Sequence, residues 1–180
     1  MILDKDIIKN PHPTLRMVSS DVEVPVSDET KSKLKEMMEY LKMSQDEELA
    51  KKYSITPGVG LASNQINIPK RMLVLYIKDE EKPFEYTIVN PVVLAKSTGM
   101  CYLGNGEGCL SVPDKQGRVL RHKRIKVKAL VLNKETDEFE EKVLTFQGYH
   151  AIVFQHEFDH INGTLFIDKI TNNLGDALEI

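Results

Sequence analysis

The sequence predicts an α+β domain in which antiparallel sheets pack around a buried helix near the C-terminus. Three observations lead there. Ile125 to Val131 alternates, the pattern of a half-exposed strand. Leu34, Met37, Met38 and Leu41 fall at i, i+3, i+4 and i+7, one stripe of an amphipathic helix. Ala151, Ile152, Val153 and Phe154 are all apolar and lead into Gln155-His156-Glu157-Phe158-Asp159-His160, so the helix carrying that segment is largely buried.

The whole chain sets the bounds. Its 180 residues suit a single domain spanning 1–180, long enough to bury about 70 % of the unfolded surface. Hydrophobic residues at 41 % and charged residues at 28 % are ordinary for a globular protein. A net charge of −3 without a basic block gives no footprint for nucleic acid or an anionic membrane. No apolar run approaches the roughly 18–20 residues of a membrane span, and the N-terminus has no signal-peptide pattern. The expectation is a cytoplasmic protein without a disulfide framework, in which a metal or catalytic thiol is the more usual use of so few Cys.

Taken in order, residues 1–26 read as irregular, because Asn10-Pro11-His12-Pro13 removes donors and restrains the residue before each proline. His12 is expected at the surface. Ser27 reads as an N-cap, with Asp28 and Glu29 in the first turn of the first helix. Ser44 to Tyr53 is charged and suits a short exposed helix or a loop. Gly58-Val59-Gly60-Leu61-Ala62-Ser63-Asn64-Gln65 is neither a phosphate loop nor a dinucleotide fingerprint. It reads as a tight turn before a short helix, or as an edge that pairs with an extended peptide. Met72 to Ile77 is a short apolar strand. Phe84 to Leu94, broken at Asn90-Pro91, reads as strand, turn, strand. Phe139 to Phe146 is expected to pair with the strand at 125–131 across a loop from Asn133 to Glu138.

The chemistry concentrates in His156-Glu157-x-x-His160. On a helix, residues four apart lie about 5–6 Å apart on one face, so both imidazoles can reach one ion. Glu157 stands about 100° round the helix, placed for a water rather than for the ion. Two imidazoles leave the third ligand open. One metalloprotease class places a His after a Gly in this region; Gly163 fits, but Phe166 stands where that His belongs. Glu179 lies at what reads as a frayed end. Upstream remain Cys101, Cys109, His12, His122 and His150. Cys109 has the best context, in Glu107-Gly108-Cys109-Leu110-Ser111, where Gly108 suggests a crowded backbone and a thiolate suits a borderline metal. Cys101 reads as structural.

Gly-Val-Gly-Leu-Ala-x-x-Gln, Glu-Gly-Cys-Leu-Ser and Gln-His-Glu-x-Asp-His-x-x-Gly occur here in the order and approximate spacing of the peptide deformylases. The sequence resembles that family, in its longer Gram-positive-like form, over nearly the whole chain. The resemblance implies that Cys109, His156 and His160 bind the metal, Fe²⁺ in the typical case, with Zn²⁺, Ni²⁺ or Co²⁺ able to replace it. It implies that Glu157 moves the protons, and that the Gln65 amide and the Leu110 N–H hold the oxyanion. Val59, Gly60 and Gly108 would line the substrate path, and Ile152 and Val153 the methionine pocket. The substrate would be N-formylmethionyl nascent peptides, with transient ribosome association. Ser63 and Asn64 depart from the family's usual Ala and Pro, and Pro113 from an expected Asp. Ser63 and Asn64 are expected to flank the chemistry rather than carry it. Two rival readings share the helix: a zinc endopeptidase, and a closed structural metal site needing a fourth ligand from His150 or Cys101.

Overall fold

The structure is a computed structural model that describes residues 1–79 and 81–180. In chain order it runs α1 (Asp28–Ser44), α2 (Glu47–Tyr53), β1 (Gly60–Ala62), β2 (Met72–Ile77), β3 (Phe84–Lys96), β4 (Met100–Tyr102), β5 (Glu107–Cys109), β6 (Val112–Gly117), β7 (Arg121–His122), β8 (Arg124–Asn133), β9 (Glu138–Gln147), α3 (Gly148–Ile161) and β10 (Leu178–Glu179). The main sheet has five strands in the order β1-β2-β3-β8-β9, all antiparallel neighbours. Beside it lie a sheet β10-β4-β7 and the hairpin β5-β6. The β10–β4 pairing is parallel, so the sheets are not purely antiparallel.

The main sheet is covered by α3 on one face and, around β2, by α1 on the other, and its side chains sort accordingly. Met72 and Val74 of β2 join a core with Leu34, Met37, Tyr40 and Leu41 of α1. Leu73 and Leu75 join another with Ala151, Val153, Phe154 and Ile161 of α3. A strand buried on both faces needs apolar residues at every position, which is why β2 shows no alternation. In β8, Ile125, Val127, Ala129 and Val131 face α3 while the residues between them are more exposed, so its alternation is visible in the sequence. Leu34 and Leu41 are fully buried, and truncating either to Ala costs about 2–5 kcal/mol.

Both leading helices start on side-chain caps: the Ser27 hydroxyl accepts from Thr30 N at 3.2 Å, and the Asp46 carboxylate from Leu49 N at 3.0 Å. The N-terminal segment is less irregular than expected, with 3₁₀ turns at Asp4–Asp6 and Pro13–Arg16. Proline is tolerated at the start of such a turn because its missing N–H would have no partner there. His12 is partly buried and caps that turn.

Two further expectations are corrected. Asn90-Pro91 does not end a strand; β3 continues through it with a shift of register between Val89 and Val92. Asn90 takes the left-handed conformation, φ +50°, and its amide binds both Val22 N at 2.8 Å and Val22 O at 2.9 Å, so a bulge replaces the turn. Nor is Glu179 frayed, since β10 pairs with β4 and Ile180 N donates to Tyr102 O at 2.9 Å.

Candidate metal centre and active site

The α3 helix carries His156 and His160 one turn apart on a buried face, their ring centroids separated by 5.1 Å. Cys109 ends β5 opposite them, its Sγ 3.2 Å from Nε2 of His160. Donor atoms of Cys109, His156 and His160 all lie within 4.8 Å of one another, close enough to share one cation. One thiolate and two imidazoles suit a borderline divalent metal. Two buried atoms beside this cluster, Oε2 of Glu157 and Nδ1 of His160, lack a protein partner. The donor set therefore fits a metal.

The other candidate ligands stand elsewhere. His150 stacks on Phe84 at 3.9 Å, His122 Nδ1 lies 2.7 Å from Ser97 O, and Cys101 is buried in β4. Among the described residues no fourth His, Cys, Asp or Glu joins the cluster. Phe166 stacks against the His156 ring, centroids 5.9 Å apart, as an apolar wall.

Electrostatics divide the roles. Burial would push the His156 imidazole toward its neutral form, yet hydrogen bonds to Cys109 and Glu107 raise its pKa well above the ordinary value. Burial, and then the charge of His156, hold His160 well below it. A metal held there would have to displace a proton from His156, which would make its binding pH-dependent. Burial raises the Glu157 carboxyl to about 7, against the opposing charge of His156. A carboxyl with that pKa can both accept and return a proton near neutrality.

The sequence did not disclose what holds His156. Its Nδ1 lies 2.8 Å from Oε2 of Glu107. Arg121 grips Glu107 in a fork, Nε and Nη2 each at 2.8 Å, and reaches on to Asp159, which Lys169 also binds at 2.7 Å. Burial opposes ionisation of Glu107, but Arg121 and His156 outweigh it and bring its pKa down to about 2. Glu107 and Asp159 stand inside two of the three sequence motifs, so acids beside buried His were the available signal; Arg121 had none.

Gln65 follows β1 in a 3₁₀ turn, Ser63–Ile66. Its Oε1 accepts from Ala62 N at 2.9 Å, which turns Nε2 toward Ser111 Oγ at 3.2 Å and Cys109 Sγ at 3.7 Å. β1 is an edge strand. Val59 O is engaged by Tyr76 N at 2.9 Å, and strand alternation then turns the backbone groups of Gly60 toward the open edge. A cleft of about 800 Å³ is lined by Val59, Gly60, Gln65, Gly108, Cys109, Leu110, Ile152, Val153, His156 and Glu157. His160 lies behind it. Nothing stands within 4 Å of where a Cβ of Gly108 would sit, so the crowding expected there is absent. Asn64 does more than flank the site: it is fully buried and donates from Nδ2 to His160 O at 2.6 Å.

A search among known families matches residues 4–174 to the polypeptide deformylases. The chain belongs to this family. It is 49 % identical to peptide deformylase 2 of Geobacillus stearothermophilus over 100 % of this chain and 95 % of the relative. It is 47 % identical to the peptide deformylase of Halalkalibacterium halodurans over 94 % of this chain and 92 % of the relative. Among solved structures, the Met-Ala-Ser-bound class I type b peptide deformylase of Acinetobacter baumannii aligns with a TM-score of 0.71 at 30 % identity, covering 91 % of this chain and 96 % of that one. The peptide deformylase of Thermotoga maritima aligns at 0.68 and 33 % identity, covering 92 % and 96 %. The family is metal-dependent, in keeping with the Cys109, His156 and His160 cluster.

Proposed function

We propose that this chain removes the formyl group from the N-terminal formylmethionine of newly made polypeptides, releasing formate. The observation that carries this is Glu157, a buried carboxyl with one unpartnered oxygen, which lines a peptide-sized cleft with Cys109 and His156 while His160 stands just behind. A divalent cation held by Cys109, His156 and His160 would polarise the formyl carbonyl and make a water acidic enough to be deprotonated near neutral pH.

The chain's own residues supply the rest. The substrate backbone adds to the open edge of β1 at Gly60, with Val59 beside it, as a short extra strand. The methionine side chain enters the wall formed by Ile152 and Val153, and Gly108 leaves room above the cleft. Glu157 takes a proton from the attacking water and later gives it to the departing amine, so one group serves both transfers. The Gln65 amide and the Leu110 N–H donate to the oxyanion as it forms.

The finer reading takes Fe²⁺ as the ion, with Zn²⁺, Ni²⁺ or Co²⁺ as substitutes. A ferrous ion on a thiolate is oxidisable, so iron-loaded protein should lose activity in air faster than nickel-loaded protein. A nascent-chain substrate places the protein in the cytoplasm with transient ribosome contact. No helix among the described residues is long and apolar enough to cross a membrane. The test of the activity is formate release from formyl-Met-Ala-Ser by protein purified without oxygen. Casein digestion without formate release would favour an endopeptidase instead.

A further inference from the structure

Three consecutive N-terminal residues reach both elements that bear the oxyanion donors. Ile8 N donates to Gln65 O at 2.8 Å, and Asn10 N donates to Ser111 O at 2.9 Å. Between them Lys9 Nζ donates to Leu110 O at 2.7 Å. Gln65 lies in the 3₁₀ turn after β1, and Leu110 with Ser111 forms the turn between β5 and β6. These segments are 44 or more residues apart in sequence, and the Gln65 side chain also links them through Ser111 Oγ at 3.2 Å and Cys109 Sγ at 3.7 Å. The segment is itself anchored: Ile8 packs against the core of Leu15, Val112, Val119, Leu165 and Phe166, and Pro11 and Pro13 stiffen the chain just beyond Asn10.

We infer that Ile8–Asn10 is a strap that fixes the spacing of the two oxyanion donors, with Lys9 as its positioning residue. The inference rests on the assignment of Gln65 and Leu110 as those donors. An ammonium–carbonyl bond is charge-assisted and stronger than a neutral one, so Lys9 restrains the Leu110 turn more than a plain turn contact would. Donors aimed at an oxyanion act through placement, and a misplacement of about 1 Å can cost 10²-fold. Lys9 is exposed and outside the core, so replacing it tests placement rather than folding.

The experiment compares Lys9→Met, Lys9→Arg and Gln65→Leu with the wild type for formate release, metal content and melting temperature. For Lys9→Met the expected result is kcat lowered about tenfold, with KM, metal and melting temperature unchanged. Lys9→Arg keeps a charged donor and should recover most of that loss. A raised KM with normal kcat would make Lys9 a substrate contact and overturn the strap. Normal kinetics in Lys9→Met beside a crippled Gln65→Leu would overturn the strap alone. Full kcat in Gln65→Leu would overturn the oxyanion assignment and the strap together.

Discussion

Gly60 and Glu157 approach so closely that a Cβ on the glycine would stand 2.6 Å from Cγ of the glutamate and closer still to Oε1. The edge strand and the Glu157 carboxyl thus share one space, which only a residue without a side chain leaves open. Gly60→Ala should force Glu157 away from the cleft and lower kcat by about 10²-fold or more. The metal donors are untouched, so metal content should hold. Elemental analysis beside steady-state kinetics checks this; an unchanged kcat would mean Glu157 has room to move without cost.

Gln65→Leu removes a donor from the cleft while keeping similar bulk. If the amide holds the oxyanion, kcat should fall by about 10²–10³ with normal metal content. A variant that merely melts lower, with kcat intact, would reduce Gln65 to a strut between Ala62 and Ser111.

Glu107→Gln tests what orients His156. The neutral amide keeps the shape but loses the charge that pairs with Arg121 and draws on the His156 Nδ1 proton. Metal affinity, read by competition with a chelator, should weaken about 10–100-fold. Affinity equal to wild type would leave Glu107 a structural ion only.

Acid should loosen the N-terminal segment through Asp4. Burial would raise the Asp4 pKa, but hydrogen bonds from the Thr56 side chain and backbone and from Tyr40 outweigh it and lower it from 3.8. A depressed folded-state value means stability that is present above the ordinary pKa and lost as pH falls through the folded one. Asp4→Asn should therefore lower stability at neutral pH and flatten its fall below about pH 4. Denaturant titrations from pH 7 to 3 decide it, and parallel curves for the two proteins would dismiss Asp4 as the acid-sensitive group.

Helix α1 and strand β8 were legible because one buried face writes its period into the sequence, and β2 and the start of α3 because deep burial leaves an unbroken apolar run. The β5–β6 hairpin was not, since Val112–Gly117 is mostly exposed and polar. Asn90-Pro91 misled for a related reason: local chemistry says turn, while the Val22 pairing that keeps β3 going is distant in sequence. At the site, Gln65, Cys109, His156, Glu157 and His160 carried their own signatures in motif and residue type, whereas Lys9 and Gln45 line the same cleft from outside any motif. Arg121 acts one layer back, through Glu107, and arginine in a strand announces nothing until the partner is placed.

In the proposed reaction Glu157 performs chemistry and does not bind the metal. Metal per protein, measured with formate release on Glu157→Ala, tests it most directly. A full metal complement with turnover reduced by at least about 10²–10⁴-fold is expected, whereas Cys109→Ala, His156→Ala and His160→Ala should lose both. A Glu157→Ala protein that comes out metal-free, or that keeps its metal and still releases formate at the wild-type rate, would contradict it.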